Sequence, residues 1–239
     1  MGLSNLSPLL LSLKVAGLAT LFNFFAGLLV ARMMSIRVFR GKEFLHSLLL
    51  LPLVLPPTVV GFLLLFLFGK NGWIGGWLWS SFQIQIVFTW IGAVLASIVV
   101  AFPLMYQSAL AGFETVDSQL ENAARTLGAS EWRVFWSISL PLAWPGLLSG
   151  LILSFTRALG EFGATLMIAG YIPGKTDTMP IAIYFLATNG EMGEAGIWVF
   201  IMILLALGSI LGLELWTKKK MRRFTAVREE EKRAYRSCS

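Results

Sequence analysis

Five runs of this chain stay apolar for more than 20 residues: 9–31, 44–68, 82–106, 144–169 and 196–216. A helix needs about 20 such residues to cross the roughly 30 Å hydrocarbon core of a bilayer. Backbone N–H and C=O groups find no water there, so spans of this kind must be helices that satisfy their own hydrogen bonds. The expected fold is an all-α membrane protein, a bundle of five transmembrane helices, or six if the short stretch Met179–Thr188 joins a span. That stretch opens beside Pro180 and reads better as an interfacial or re-entrant piece between the fourth and fifth runs. The first run is longer than a signal-peptide core and follows no basic segment, so it is read as a retained helix. Charged residues make up only 13% of the chain, about half the share of a soluble domain, which excludes an ordinary soluble protein. The lone cysteine, Cys238, cannot form a disulfide within the chain.

The basic residues set the expected orientation. With the N-terminus outside, the first inner loop carries Arg32, Arg37, Arg40 and Lys42, and the second carries Arg125 and Arg133. The tail 218–239 adds nine more, giving fifteen inside against Lys14, Lys70 and Lys175 outside. That asymmetry places the C-terminus in the cytoplasm. The net charge of +6 then reads as topology and attraction to anionic headgroups, with no nucleic-acid partner, because the basic residues follow the spans and form no single patch. The chain divides into a membrane part, 1–217, and the charged tail, 218–239.

Within the spans, Pro52, Pro56 and Pro57 predict a kinked second helix, either structural or shaping a central pathway. Trp73, Trp77 and Trp79 cluster at its outer end as interfacial anchors. His46 has no Cys, Asp or second His at ligand spacing, so no metal or other cofactor is expected. The inner loop 108–143 is itself patterned. Ser118 and Glu121 form a candidate capping box for a short helix over 119–127, which Gly128 ends in the left-handed conformation. Ser130 caps a second short helix carrying Trp132, Phe135 and Trp136, expected to stop before Pro141. Such a hairpin either lies on the membrane or docks in a groove on a soluble partner.

The segment Glu121-Asn-Ala-Ala-Arg-Thr-Leu-Gly128, nine residues, then Ile138-Ser-Leu-Pro141 resembles the EAA loop of ABC importer permeases. Counting back from Gly128, the alanines fall on Ala123 and Ala124, Asn122 takes the glutamate's place, and Glu121 stands one position early. The segments from Ser154 to Thr165 and from Ala169 to Pro180 resemble the permeases of molybdate importers, and sulfate and tungstate permeases share the Gly160-Glu-Phe-Gly163 core. The resemblance implies a type I permease subunit of an ATP-binding-cassette importer, most closely of the molybdate type, with sulfate or tungstate as the alternative cargo. It implies a homodimer, two ATPase subunits below and an extracytoplasmic oxyanion-binding protein above. The loop would be the coupling helix, with Glu121, Asn122, Ala123, Ala124, Gly128 and Ala129 at the ATPase.

The chain has no Gly-x4-Gly-Lys-Ser/Thr phosphate loop, so ATP would be hydrolysed elsewhere and no catalytic residue is expected here. An intramembrane serine enzyme finds no activating histidine near Gly146-Leu-Leu-Ser-Gly150, which reads as a packing motif. An ion-coupled carrier would show paired repeats, and none is evident. Arg157 and Glu161 are an oppositely charged pair inside the fourth span, at i, i+4 on one helical face that Ser154 and Thr165 roughly continue. The pair is either a structural bridge or part of a polar stripe lining an anion's path.

Overall fold

A computed structural model describes residues 6–212 except 38, so Cys238 and the tail lie outside the described residues. Those residues form helices and connections, with no strand among them. The first helix, α1, runs from Ser7 to Ile36 and is about 45 Å long. Pro8 sits in its first turn, where a missing N–H costs nothing.

The second run departs from a kinked helix. It is two helices, α2 (Lys42–Val54) and α3 (Pro57–Phe68), with the chain direction bent by 110° between them. Leu55 and Pro56 between them are extended, with ψ of 141° and 136°. Consecutive prolines explain the break: each pushes its predecessor out of the helical region, and Pro57 then restarts the helix at its first position. Each piece is about 20 Å long, too short to cross a bilayer alone. Pro52 lies inside α2 without ending it.

The third run is displaced. A short helix, α4 (Trp73–Phe82), carries the three tryptophans, and α5 spans Trp90–Glu114, eight residues later at each end than expected. Gln83 and Phe88 between them take positive φ (56° and 60°), and the Phe88 N–H bonds to Ile168 O at 2.9 Å, so this apolar stretch is loop. Trp73 is 87% exposed, in keeping with an interfacial anchor.

The fourth run starts earlier and breaks before its end. After α6 (Ser118–Thr126), the chain forms α7 (Glu131–Val134), a π-helical turn over Phe135–Ser139, then α8 (Leu140–Leu159). The helix therefore does not stop before Pro141. The Leu140 N–H reaches five residues back to Phe135 O, and this wider turn absorbs a proline at the start of the next segment. After Gly160 the chain leaves the helix and resumes as α9 (Gly163–Ala169). Then come α10 (Met179–Thr188), a separate short helix as expected, and α11 (Met192–Gly212). By length and composition four of these helices can cross a membrane, or five when the bent α2–α3 pair counts as one span.

The core forms where α5 packs along both α1 and α8. Small residues make this possible. A Cβ added at Gly146 would stand 2.6 Å from Gly112 Cα, and one at Gly150 would meet Met105 and Ser108 within about 3 Å. Gly146 and Gly150 are thus packing positions, as read from the sequence. Gly17 on α1 faces open space. Gly146→Ala is expected to destabilise the detergent-solubilised protein by about 1–3 kcal/mol through overpacking. Gly17→Ala should leave the melting temperature unchanged or raise it, since alanine favours the helix.

Candidate functional site

The loop after α5 is shorter than 108–143, because α5 runs to Glu114 and helix resumes at Glu131. Between them lies a closed hairpin. Asp117, not Ser118, caps α6, accepting the Gln119 N–H at 2.8 Å. Moving the cap back one residue takes Glu121 out of capping-box register, so that box does not form. Gly128 has φ +84°; its N–H bonds to Arg125 O and the Ala129 N–H to Ala124 O, both at 3.0 Å. These two bonds are a Schellman cap with glycine in the left-handed position. Ser130 caps α7 through the Arg133 N–H at 3.4 Å, as expected. Arg125 closes the hairpin from the side, 2.6 Å from Glu131 Oε1 and 2.8 Å from Asn122 Oδ1.

Asn122, Ala123 and Gly128 are exposed and Ala124 and Ala129 are half-buried. Beside them Leu127 and Trp132 are 89% and 71% exposed. Glu121 faces the other way and is the one buried residue of α6. Its carboxylate takes Arg32 Nη1 at 3.1 Å and Arg125 Nη2 at 3.3 Å, and accepts the Ser139 hydroxyl. Burial pushes this carboxyl up, but the Ser139 hydrogen bond, Arg32 and Arg125 outweigh it and hold its pKa below the ordinary value. Its contribution to the folded state is therefore complete at neutral pH and is lost only as pH falls below the usual carboxylate range.

The expected polar stripe of the fourth span is not one helical face. Arg157 is in the last turn of α8, whereas Glu161 lies in the break beyond Gly160. The two still pair, Nη1 to Oε2 at 2.6 Å. The other oxygen of Glu161 accepts the Ala164 N–H at 2.8 Å, capping α9. Ser154 is fully buried and accepts a hydrogen bond from Asn23 Nδ2 at 3.2 Å. Thr165 is buried on α9. Of the four, only Arg157 keeps an accessible side chain, 29% exposed.

Sequence reasoning passed over Asn23, whose Nδ2 also donates to Ile98 O at 3.1 Å. A lone amide in an apolar run was its only signal. It counted Arg32 as a topological charge without finding Glu121, 89 positions away. It also passed over Asp177, buried beside α1, whose Oδ2 accepts the Ser7 hydroxyl at 2.8 Å. His46 shares a 2.8 Å hydrogen bond with the Tyr106 hydroxyl, and no group of metal-ligating side chains occurs among the described residues.

A profile of binding-protein-dependent transport system inner membrane components matches residues 23–215. The chain belongs to this family. It is 50% identical over 204 residues to the molybdenum transport system permease protein ModB of Escherichia coli K12, covering 84% of this chain and 89% of that one. It is 44% identical over 220 residues to ModB of Haemophilus influenzae, covering 92% and 96%. The sulfate transport system permease CysW of Synechocystis is 40% identical over 177 residues, 74% of this chain and 64% of its own. Among solved structures, a bacterial ABC transporter that imports the acidic polysaccharide alginate superposes with a TM-score of 0.73 at 18% identity, covering 92% and 80%. That likeness is one of fold. The chain is thus a transport permease subunit and not itself an enzyme.

In this permease, Gly128→Val puts a β-branched side chain at φ +84°, where it is strongly disfavoured, while a Cβ there meets no atom within 4 Å. The expected outcome is a protein that inserts normally but loses transport and ATPase stimulation, measured after reconstitution with its partners. Exchange of the charged pair, Arg157→Glu with Glu161→Arg, is expected not to restore function. An arginine cannot accept the Ala164 N–H, so a thermal melt of the double variant should stay below that of the native protein even with the charges re-paired.

Proposed function

We propose that this permease carries molybdate into the cytoplasm as the membrane half of an ATP-binding-cassette importer. The observation that carries the reading is the 50% identity to the Escherichia coli molybdenum permease over most of both chains, against 40% over a smaller share for the sulfate permease of Synechocystis. On this reading two copies of the chain form a homodimer, two ATPase subunits dock below, and an extracytoplasmic oxyanion-binding protein docks above.

The hairpin's exposed surface suits the ATPase contact. Asn122, Ala123, Ala124, Gly128 and Ala129 form a low shelf, and the exposed Leu127 and Trp132 beside it supply an apolar anchor that a groove would cover. Glu121, with its carboxylate turned inward, is not among these contacts. In the pathway Arg157 is the cation an anion meets. Glu161 tempers its charge, so that a dianion enters and also leaves. Ser154 and Thr165 support this element from inside the bundle.

The permease is read as sitting with its N-terminus outside and its C-terminus in the cytoplasm of a multi-pass plasma-membrane protein. This follows the distribution of basic residues across its loops. Two measurements test the proposal. Proteoliposomes holding the permease, its ATPase and its binding protein are expected to take up molybdate in an ATP-dependent manner, in preference to sulfate. Equal or greater uptake of sulfate would move the assignment to the sulfate class. A cysteine introduced at position 72 should react with an impermeant thiol reagent in intact cells, whereas one at position 130 should react only after lysis. The reverse pattern would invert the topology.

A further inference from the structure

We infer that Glu121 is the joint through which the coupling hairpin moves the membrane helices, and that its partners Arg32 and Ser139 are the two points where the motion is delivered. The inference rests on the reading of this chain as an ATP-driven permease. It adds the element that carries force inside the chain.

Three observations lead to it. The hairpin is tied to itself: Arg125 bridges Glu131 and Asn122, and the Gly128 cap closes the turn, so α6 and α7 form one unit. That unit is held to the bundle narrowly, because its buried side chains are Glu121 on α6 and Val134 on α7, and only Glu121 is polar. The carboxylate reaches two separate elements, Arg32 near the inner end of α1 and Ser139 in the π-helical turn that leads into α8. Arg32 is itself seated against the rings of Phe113 and Phe135, 5.5 Å and 5.7 Å from their centroids.

A push on the exposed face of the hairpin therefore arrives at a shielded ion pair, with side-chain relative exposures of 12% and 11%. Separating such a pair strands a charge in a poorly solvated place, so the pair resists slipping and transmits displacement. The π-helical turn is the compliant part. Its hydrogen bonds are already shifted from the α-helical register, so α8 can be re-aimed there without breaking a regular ladder. α1 and α8 both pack along α5, so moving their inner ends together reshapes the core of the bundle.

The test is a double-mutant cycle in the reconstituted importer, comparing Arg32→Gln, Glu121→Gln and the two combined. The double variant leaves no unpaired buried charge, which keeps the experiment readable if either single variant folds poorly. The readouts are molybdate transported per ATP hydrolysed and the affinity of the permease for its ATPase subunit. Each single variant is expected to lower transport per ATP by roughly fivefold or more. The double variant should be no worse than either single one, and ATPase affinity should be unchanged throughout. Additive losses, unaltered transport per ATP, or weakened ATPase binding in Glu121→Gln but not in Arg32→Gln would overturn the joint. The last result would make Glu121 a direct ATPase contact. If the unaltered complex shows no ATP-driven molybdate uptake in the same vesicles, the functional reading fails, and not the joint.

Discussion

Every irregular stretch of backbone at membrane depth in this protein has to be covered by protein, because hydrocarbon offers no hydrogen-bond partner. The architecture follows from how that constraint is met at two breaks, the extended Leu55–Pro56 pair and the interruption after Gly160. The two breaks face each other. A Cβ on Gly163 would lie 3.1 Å from Pro57 Cβ, and one on Gly61 would lie 2.8 Å from Ala164 Cα. The starts of α3 and α9 thus shield one another, and both rest against α5. Prolines remove donors at one break, and Glu161 accepts the Ala164 N–H at the other, so fewer N–H groups need a partner there.

Glu161 is bound to two tasks by this arrangement. One oxygen caps α9 and the other neutralises Arg157. A carboxylate at the N-terminus of a helix also gains from the helix dipole. Its side chain is therefore held by the backbone as well as by the arginine. On the proposed function, Glu161 has the structural task, and the partly exposed side of Arg157 is what an anion would meet.

The sequence was informative where a local rule operates and silent where the deciding contact is distant. Run length gave the bundle, and the left-handed Gly128 and the cap at Ser130 followed from turn and capping chemistry within a few residues. Boundaries were less legible. Apolar residues at 83–88 look like span but are loop, because Phe88 bonds to Ile168 far along the chain. The helix at 131–159 continues past Pro141 because a π-helical turn absorbs the proline, which no nearest-neighbour rule anticipates. Glu121 was misjudged for the same reason. Its spacing from Ser118 satisfies a capping box, but a cap from Asp117 and a charge on another helix compete for it and win.

That competition also explains why the family-like loop tolerates a shift of its glutamate by one position. A side chain one residue away on a helix points about 100° around the axis, since a turn holds 3.6 residues. A glutamate at position 122 would stand on the exposed shelf, where Asn122 now lies bonded to Arg125. Moved to 121, it points into the bundle and meets Arg32. The shelf thereby loses a negative charge and keeps a neutral amide, and the interior gains an ion pair whose arginine rests against the rings of Phe113 and Phe135. On the proposed function, an ATPase contact built from a neutral amide, small residues and two apolar side chains would depend on shape more than on charge pairing. Contacts of that kind are screened less by salt than exposed ion pairs are. The charge has moved from a place where ionic strength weakens it to one where burial preserves it.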